Sequence, residues 1–244
     1  MRINVETFQK LYAVSLMDTD EVEKSAQYVQ ILTGKTDEQV NRMKVAKFNK
    51  LCGRINKAFE MVGKNLQSGK PKSYVWANGR LYKLNYDIKL AGKYVETATF
   101  ATDTIGNLHL LMATIAEPVR LTWRGLKVGK REHHEIAHDM LKLDMGHAYQ
   151  SAVFFLSSFQ RITRQFDDLF RGDGNGGEGS GSEFYQKFGW LYQAKLVSEF
   201  ENISVSEVWE LTTLNFLNDL RYLKLKRELD AEHEKKIMAK YKHG

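Results

Sequence analysis

His134, Glu135 and His138 lie within the stretch REHHEIAHDMLKLDMG, residues 131–146, and spell H-E-x-x-H. On a helix this spacing sets two imidazoles one turn apart on one face with a carboxylate beside them. Zinc peptidases use that arrangement to hold the metal and to activate water. A third ligand is required, and Asp144 falls where the longer H-E-x-x-H-x-x-G-x-x-H pattern places it, with aspartate in place of histidine. That pattern needs glycine where the helix turns back toward the metal, and here the position is Leu141. The spacing predicts a helix that runs on or ends only at Asp144. Ile136, Met140, Leu141 and Leu143 would form its apolar stripe, leaving His134, Glu135, His138 and Asp139 mostly toward water. The motif therefore reads as a solvated helix face, with a metal site at His134, His138 and Asp144 as the subordinate alternative. No cofactor is expected.

Other chemistries have less support. The chain lacks the phosphate-cradling G-x-x-x-x-G-K-[ST]. Its one cysteine, Cys52, sits on an apolar helical stripe, which suits a packed thiol better than a nucleophile. A single thiol cannot close an internal disulfide, so a reducing compartment is expected. The net charge of +6 is concentrated in RLTWRGLKVGKR, residues 120–131, which holds five cations and no acid. One aromatic, Trp123, in one basic segment is a weak nucleic-acid signal, and nucleic acid is not the expected partner. No apolar run is long enough to span a bilayer, so a soluble protein is expected.

The elements that carry these residues are mostly helical. Two prolines in 244 residues favour long helices. DTDEVEKSAQYVQILTG reads as a helix capped at Asp18 and closed at Gly34, and Thr36 with Gln39 repeats the capping device. Val45, Phe48, Leu51, Cys52, Ile55 and Phe59 recur at three and four. The period then shifts: KSYVWANGRLYKLNYDI alternates about Asn78-Gly79, which predicts a type I′ hairpin near 72–86. Helical spacing resumes at AGKYVETATF and in NLHLLMATIAEP, which is expected to stop at Pro118. A long apolar stripe follows at Val153, Leu156, Phe159, Ile162, Phe166 and Leu169.

RGDGNGGEGSGSE, residues 171–183, gathers six of the eighteen glycines and reads as a tether. Beyond it lie an aromatic-rich helix, a short helix capped by Ser204 with Glu207, and a long helix from about Thr213 to Lys240. The expected architecture is mainly α: a helical domain over 1–170 with one β-hairpin, a Gly-rich linker over 171–183, and a small helical C-terminal module over 184–244.

Two stretches carry a resemblance. WANGRLYKLNYDIKLAGKYVETATF…NLHLLMATIAEP, followed by HHEIAHDMLKLDMGHAYQSAVFFLSSF, is similar to the tail assembly chaperones of tailed bacteriophages. FGWLYQAKLVSEFENISVSEVWELTTLNFLNDLRYLKLKRE resembles the C-terminal helical part of their longer, two-part form. The resemblance implies a non-enzymatic protein that works in the host cytoplasm during virion assembly. Its partner would be another phage protein, the tape measure or a tail or connector component, and self-association is compatible with it. A structural virion protein at the head–tail junction is the alternative role. Trp190, Trp209, Phe216, Arg221, Tyr222 and Lys224 are the candidate partner contacts, because aromatics and arginine make good anchors.

Overall fold

In a computed structural model the described residues are 3–68, 71–123, 125–170 and 181–242. Among the described residues the structure is 70% helical, with one small antiparallel sheet. It divides into two compact units: Met1–Asp87 with Thr99–Leu156, and Ile88–Ala98 with Ser157–Gly244. The tether expected over 171–183 falls largely outside the described residues, and a helix opens at Gly181.

The first unit begins with α1 (Val5–Ser15), α2 (Glu21–Thr33), α3 (Asp37–Asn41) and α4 (Val45–Ser68). The cap of α2 is Asp20, not Asp18: the Asp20 side chain accepts from the Glu23 amide at 2.7 Å, and Gly34 closes the helix in the left-handed region. Thr36 and Gln39 form a reciprocal capping box on α3. Val29, Val40 and Ile55 pack together beneath Phe48, Leu51 and Phe59, while Val45 at the head of α4 is exposed.

Strands β1 (Tyr74–Ala77) and β2 (Arg80–Leu84) pair about Asn78 and Gly79, whose φ values of 48° and 73° suit the expected turn. The chain then passes through α5 (Ala91–Phe100), most of which belongs to the second unit, and α6 (Leu108–Ile115). The α6 helix stops at Ile115, and Pro118 lies within a strand, β3 (Ala116–Thr122), which pairs with β2 and with β4 (Gly125–Val128). The sheet therefore has four strands in the order β1-β2-β3-β4, where the sequence suggests one hairpin.

Strand β3 tolerates its proline for a local reason. The Gly129 amide donates to the Pro118 carbonyl at 2.7 Å, so residue 118 turns its backbone groups toward β4 just beyond Val128, the last residue of that strand. A missing N–H there breaks no bond within the ladder.

After the sheet come α7 (His133–Met140) and α8 (Met145–Gln165). The α7 helix ends four residues short of Asp144, and Asp144 instead accepts from the His147 amide at the head of α8. The buried face of α8 in the first unit is Ala148, Ser151, Ala152 and Phe155; Val153, expected in the stripe, is exposed.

The second unit contains α9 (Asp167–Phe170), α10 (Gly181–Glu201), α11 (Val205–Glu210) and α12 (Thr213–Lys242). Lys89–Ala91 pairs with the α11–α12 junction: the Thr213 amide donates to the Lys89 carbonyl and the Ala91 amide to the Leu211 carbonyl. Tyr94 is buried at the centre, its hydroxyl 3.1 Å from that of Thr163, with its ring against Phe159 and Trp190.

Candidate functional site

The side chains of the H-E-x-x-H helix divide in a way the letters alone do not reveal. His134, Glu135 and His138 are exposed, as a solvated face requires. Asp139, expected beside them, is only 2% exposed. Four residues donate to its carboxylate. Asn78 Nδ2 reaches Oδ1 at 2.8 Å, Arg80 Nη1 reaches Oδ2 at 2.9 Å, and the Tyr82 hydroxyl and Arg131 Nη1 each reach Oδ2 at 2.5 Å. Burial alone would raise the Asp139 pKa, but these hydrogen bonds outweigh it and hold the group well below the usual carboxylate range. Burial, and then the bond to Asp139, pushes the Tyr82 hydroxyl up to about 12.

This cluster fastens the β1–β2 turn to α7. A carboxylate so supplied with donors, its pKa lowered, is a weak proton acceptor, and its bonds hold the turn in place. Glu135 is also engaged: Arg131 Nε lies 3.3 Å from it, and it accepts from the Glu132 amide at 3.4 Å in a capping box. Among the described residues no group of three or more His, Cys, Asp or Glu side chains is arranged to hold a metal ion.

A shallow cleft of about 580 Å³ runs beside α7, lined by Pro118, Val128, Lys130, Arg131, Glu132 and Glu135 among others. Its charges are of both signs.

The partner residues expected in the second unit separate into buried and exposed sets. Phe216 is fully buried and fills the unit's own core with Leu217 and Leu220, so it offers no surface to a partner. Trp190 is half-buried between Tyr94 and Phe170, and Trp209 packs on Phe216 and against the backbone of Gly92. Arg221 pairs with Asp168 at 2.6 Å, and Lys224 donates to the Asp168 carbonyl at 2.7 Å, so both tie α12 to α9. Tyr222 is exposed and lies ring to ring with exposed Phe200 at 5.3 Å.

Residues given less weight in the sequence supply the larger surface. Phe184, Phe188 and Leu191, spaced four and three apart on α10, are each between 41% and 48% exposed. The spacing signals a single helix face, but nothing in the sequence says whether that face is covered. On α12, Leu225 and Leu229 are exposed one turn apart, followed by Ile237 and Tyr241. The helix would extend for about 45 Å at 1.5 Å per residue, and every described side chain from Asp230 onward is exposed.

Comparison with family models, with curated proteins and with solved structures returned no match. Among the described residues no helix is long and apolar enough to cross a membrane.

Proposed function

We propose that this chain is a tail assembly chaperone of a tailed bacteriophage, a non-enzymatic protein that shields an aggregation-prone helical client during virion assembly. The observation that carries the reading is the exposed apolar stripe Phe184, Phe188 and Leu191 on α10, with the Phe200–Tyr222 ring pair and the exposed leucines of α12. Rings left in water at helical spacing suit helix-against-helix recognition. A tape-measure protein is a client of that kind, since its apolar stripe is open until the tail tube surrounds it. The sequence resemblance in NFLNDLRYLK and its surroundings supports the same role.

The test is co-expression with the tape-measure protein of the same phage, scoring how much of it stays in the supernatant. The client should remain soluble with the wild-type chain and precipitate with a Phe184→Ser, Phe188→Ser variant. Mass spectrometry of purified particles separates the chaperone from a structural virion protein. A chaperone is absent or sparse, whereas fixed stoichiometry in the particle contradicts the reading.

A further inference from the structure

The four strands of the first unit carry a single acid, Glu117, and the register sets it opposite Lys83. The other face of the sheet, which turns Tyr82 toward Asp139 of α7, carries no acid from any strand and ends in a row of cations. Leu81 lies opposite Val119, so one step along the same register brings Arg80 beside Arg120, and Arg120 is in turn the direct partner of Lys127. Alternation puts Arg80 on the face of Tyr82, and Arg120 on the face of Pro118, which is the partner of Tyr82. Arg80, Arg120 and Lys127 therefore stand side by side on β2, β3 and β4, about 4.8 Å from one strand to the next. All three are exposed.

Like charges on direct cross-strand partners oppose sheet stability, and the neighbouring carboxylates of α7 do not relieve them. Asp139 takes one nitrogen of Arg80, Nη1, and Glu135 pairs with Arg131. Nε and Nη2 of Arg80 have no partner among the described residues, and the side chain is 53% exposed, so Asp139 fixes the guanidinium without covering it. The side chains of Arg120 and Lys127 have neither an ion pair nor a hydrogen bond among the described residues. The turn from β3 to β4 adds Trp123, 87% exposed, three residues past Arg120.

We propose that this cationic row binds the phosphate backbone of a single-stranded nucleic acid, with Trp123 stacking on a base. The sequence offers only an aromatic within a basic segment; the fold adds Arg80 from another hairpin and aligns three cations on one face. Guanidinium forks take phosphate oxygens in pairs. An exposed ring accepts any unpaired base, which a single strand presents and a duplex does not. Carboxylates of an acidic polypeptide would answer the charge but give Trp123 nothing to stack on. The site uses no residue of the second unit and goes beyond the chaperone reading.

The test is fluorescence anisotropy of labelled oligothymidylate titrated with the full chain, with polyglutamate and a DNA duplex of equal length as the comparison probes. Oligothymidylate should bind about tenfold more tightly than either, and log K should fall against log salt with a slope of about −2, from about −0.7 for each of three phosphates. Arg120→Gln with Lys127→Gln should weaken binding about tenfold and reduce the slope to about −0.7. Lys83→Gln, on the opposite face, should change neither. Trp123→Ala should weaken binding about tenfold at an unchanged slope. The double variant removes a like-charge pair, so its urea midpoint should match or exceed that of the wild type; if it falls, Trp123→Ala decides. Failure of oligothymidylate to bind, equal or tighter binding of duplex or polyglutamate, or an affinity and slope unchanged in a folded double variant would each overturn the proposal.

Discussion

The β1–β2 hairpin with α7 and the α10–α12 helices treat their conspicuous side chains in opposite ways. In the first region the charged and polar groups turn inward upon one another, and Asp139 collects Asn78, Arg80, Tyr82 and Arg131 into one saturated cluster. In the second, Phe184, Phe188, Leu191, Phe200 and Tyr222 are each about half exposed, with Phe184 against Phe188 and Phe200 against Tyr222, although their helices have a well-packed inner side at Ala194, Val197, Phe216 and Leu220. Asp139, which the helical spacing sets beside exposed histidines, thus holds the fold together, while part of the apolar surface of α10 and α12 stands outside the core.

The largest expected effect comes from breaking the inward-turned cluster. Asp139→Ala leaves Arg131 and Tyr82 without their acceptor and should cost about 3 kcal/mol of stability, read from the urea midpoint. Tyr82→Phe removes one donor and keeps the ring, so its loss should be smaller, about 1 kcal/mol. If Asp139→Ala proves neutral, the cluster is not what fixes the turn.

Acid should act through Asp139 and through a second paired carboxylate, Glu6. Asp139 is held below its ordinary value of 3.8 in the fold, and Glu6 is lowered to about 2 by its bonds to Lys10 and Lys142. Depressed carboxylates contribute stability that is present above their unfolded pKa and lost as pH falls through the folded one. Stability should therefore decline from about pH 4 downward, and Asp139→Asn should flatten that decline.

How much of this could be read from the sequence depended on how local the cause was. The Asn78-Gly79 turn and the capping boxes at Thr36–Gln39 and Ser204–Glu207 each lie within four residues and were legible. The Asp139 cluster was not, because three of its donors lie between 57 and 61 residues upstream and helical periodicity sets the aspartate beside exposed histidines. Strands β3 and β4 were hidden by the helical NLHLLMATIA that leads into them and by Pro118, whose tolerance depends on where β4 stops. On α12 the sequence alone could not divide Phe216, which is core, from Tyr222, which is surface, since both lie on a helix with apolar residues on several sides.

The outward-turned region should respond more weakly. Phe184→Ser with Phe188→Ser removes half-exposed rings, so the loss of stability should be smaller than that of Asp139→Ala, about 1–2 kcal/mol. The smallest effect belongs to the exposed histidines: His134→Ala with His138→Ala should change neither the urea midpoint nor client solubility. A fall in either would return interest to the H-E-x-x-H helix.

The most direct measurement is the soluble fraction of the co-expressed tape-measure protein with the wild-type chain and with the Phe184→Ser, Phe188→Ser variant, both confirmed folded by circular dichroism. The client should stay soluble with the wild type and precipitate with the variant. A client that stays equally soluble with both, or precipitates with both, contradicts it.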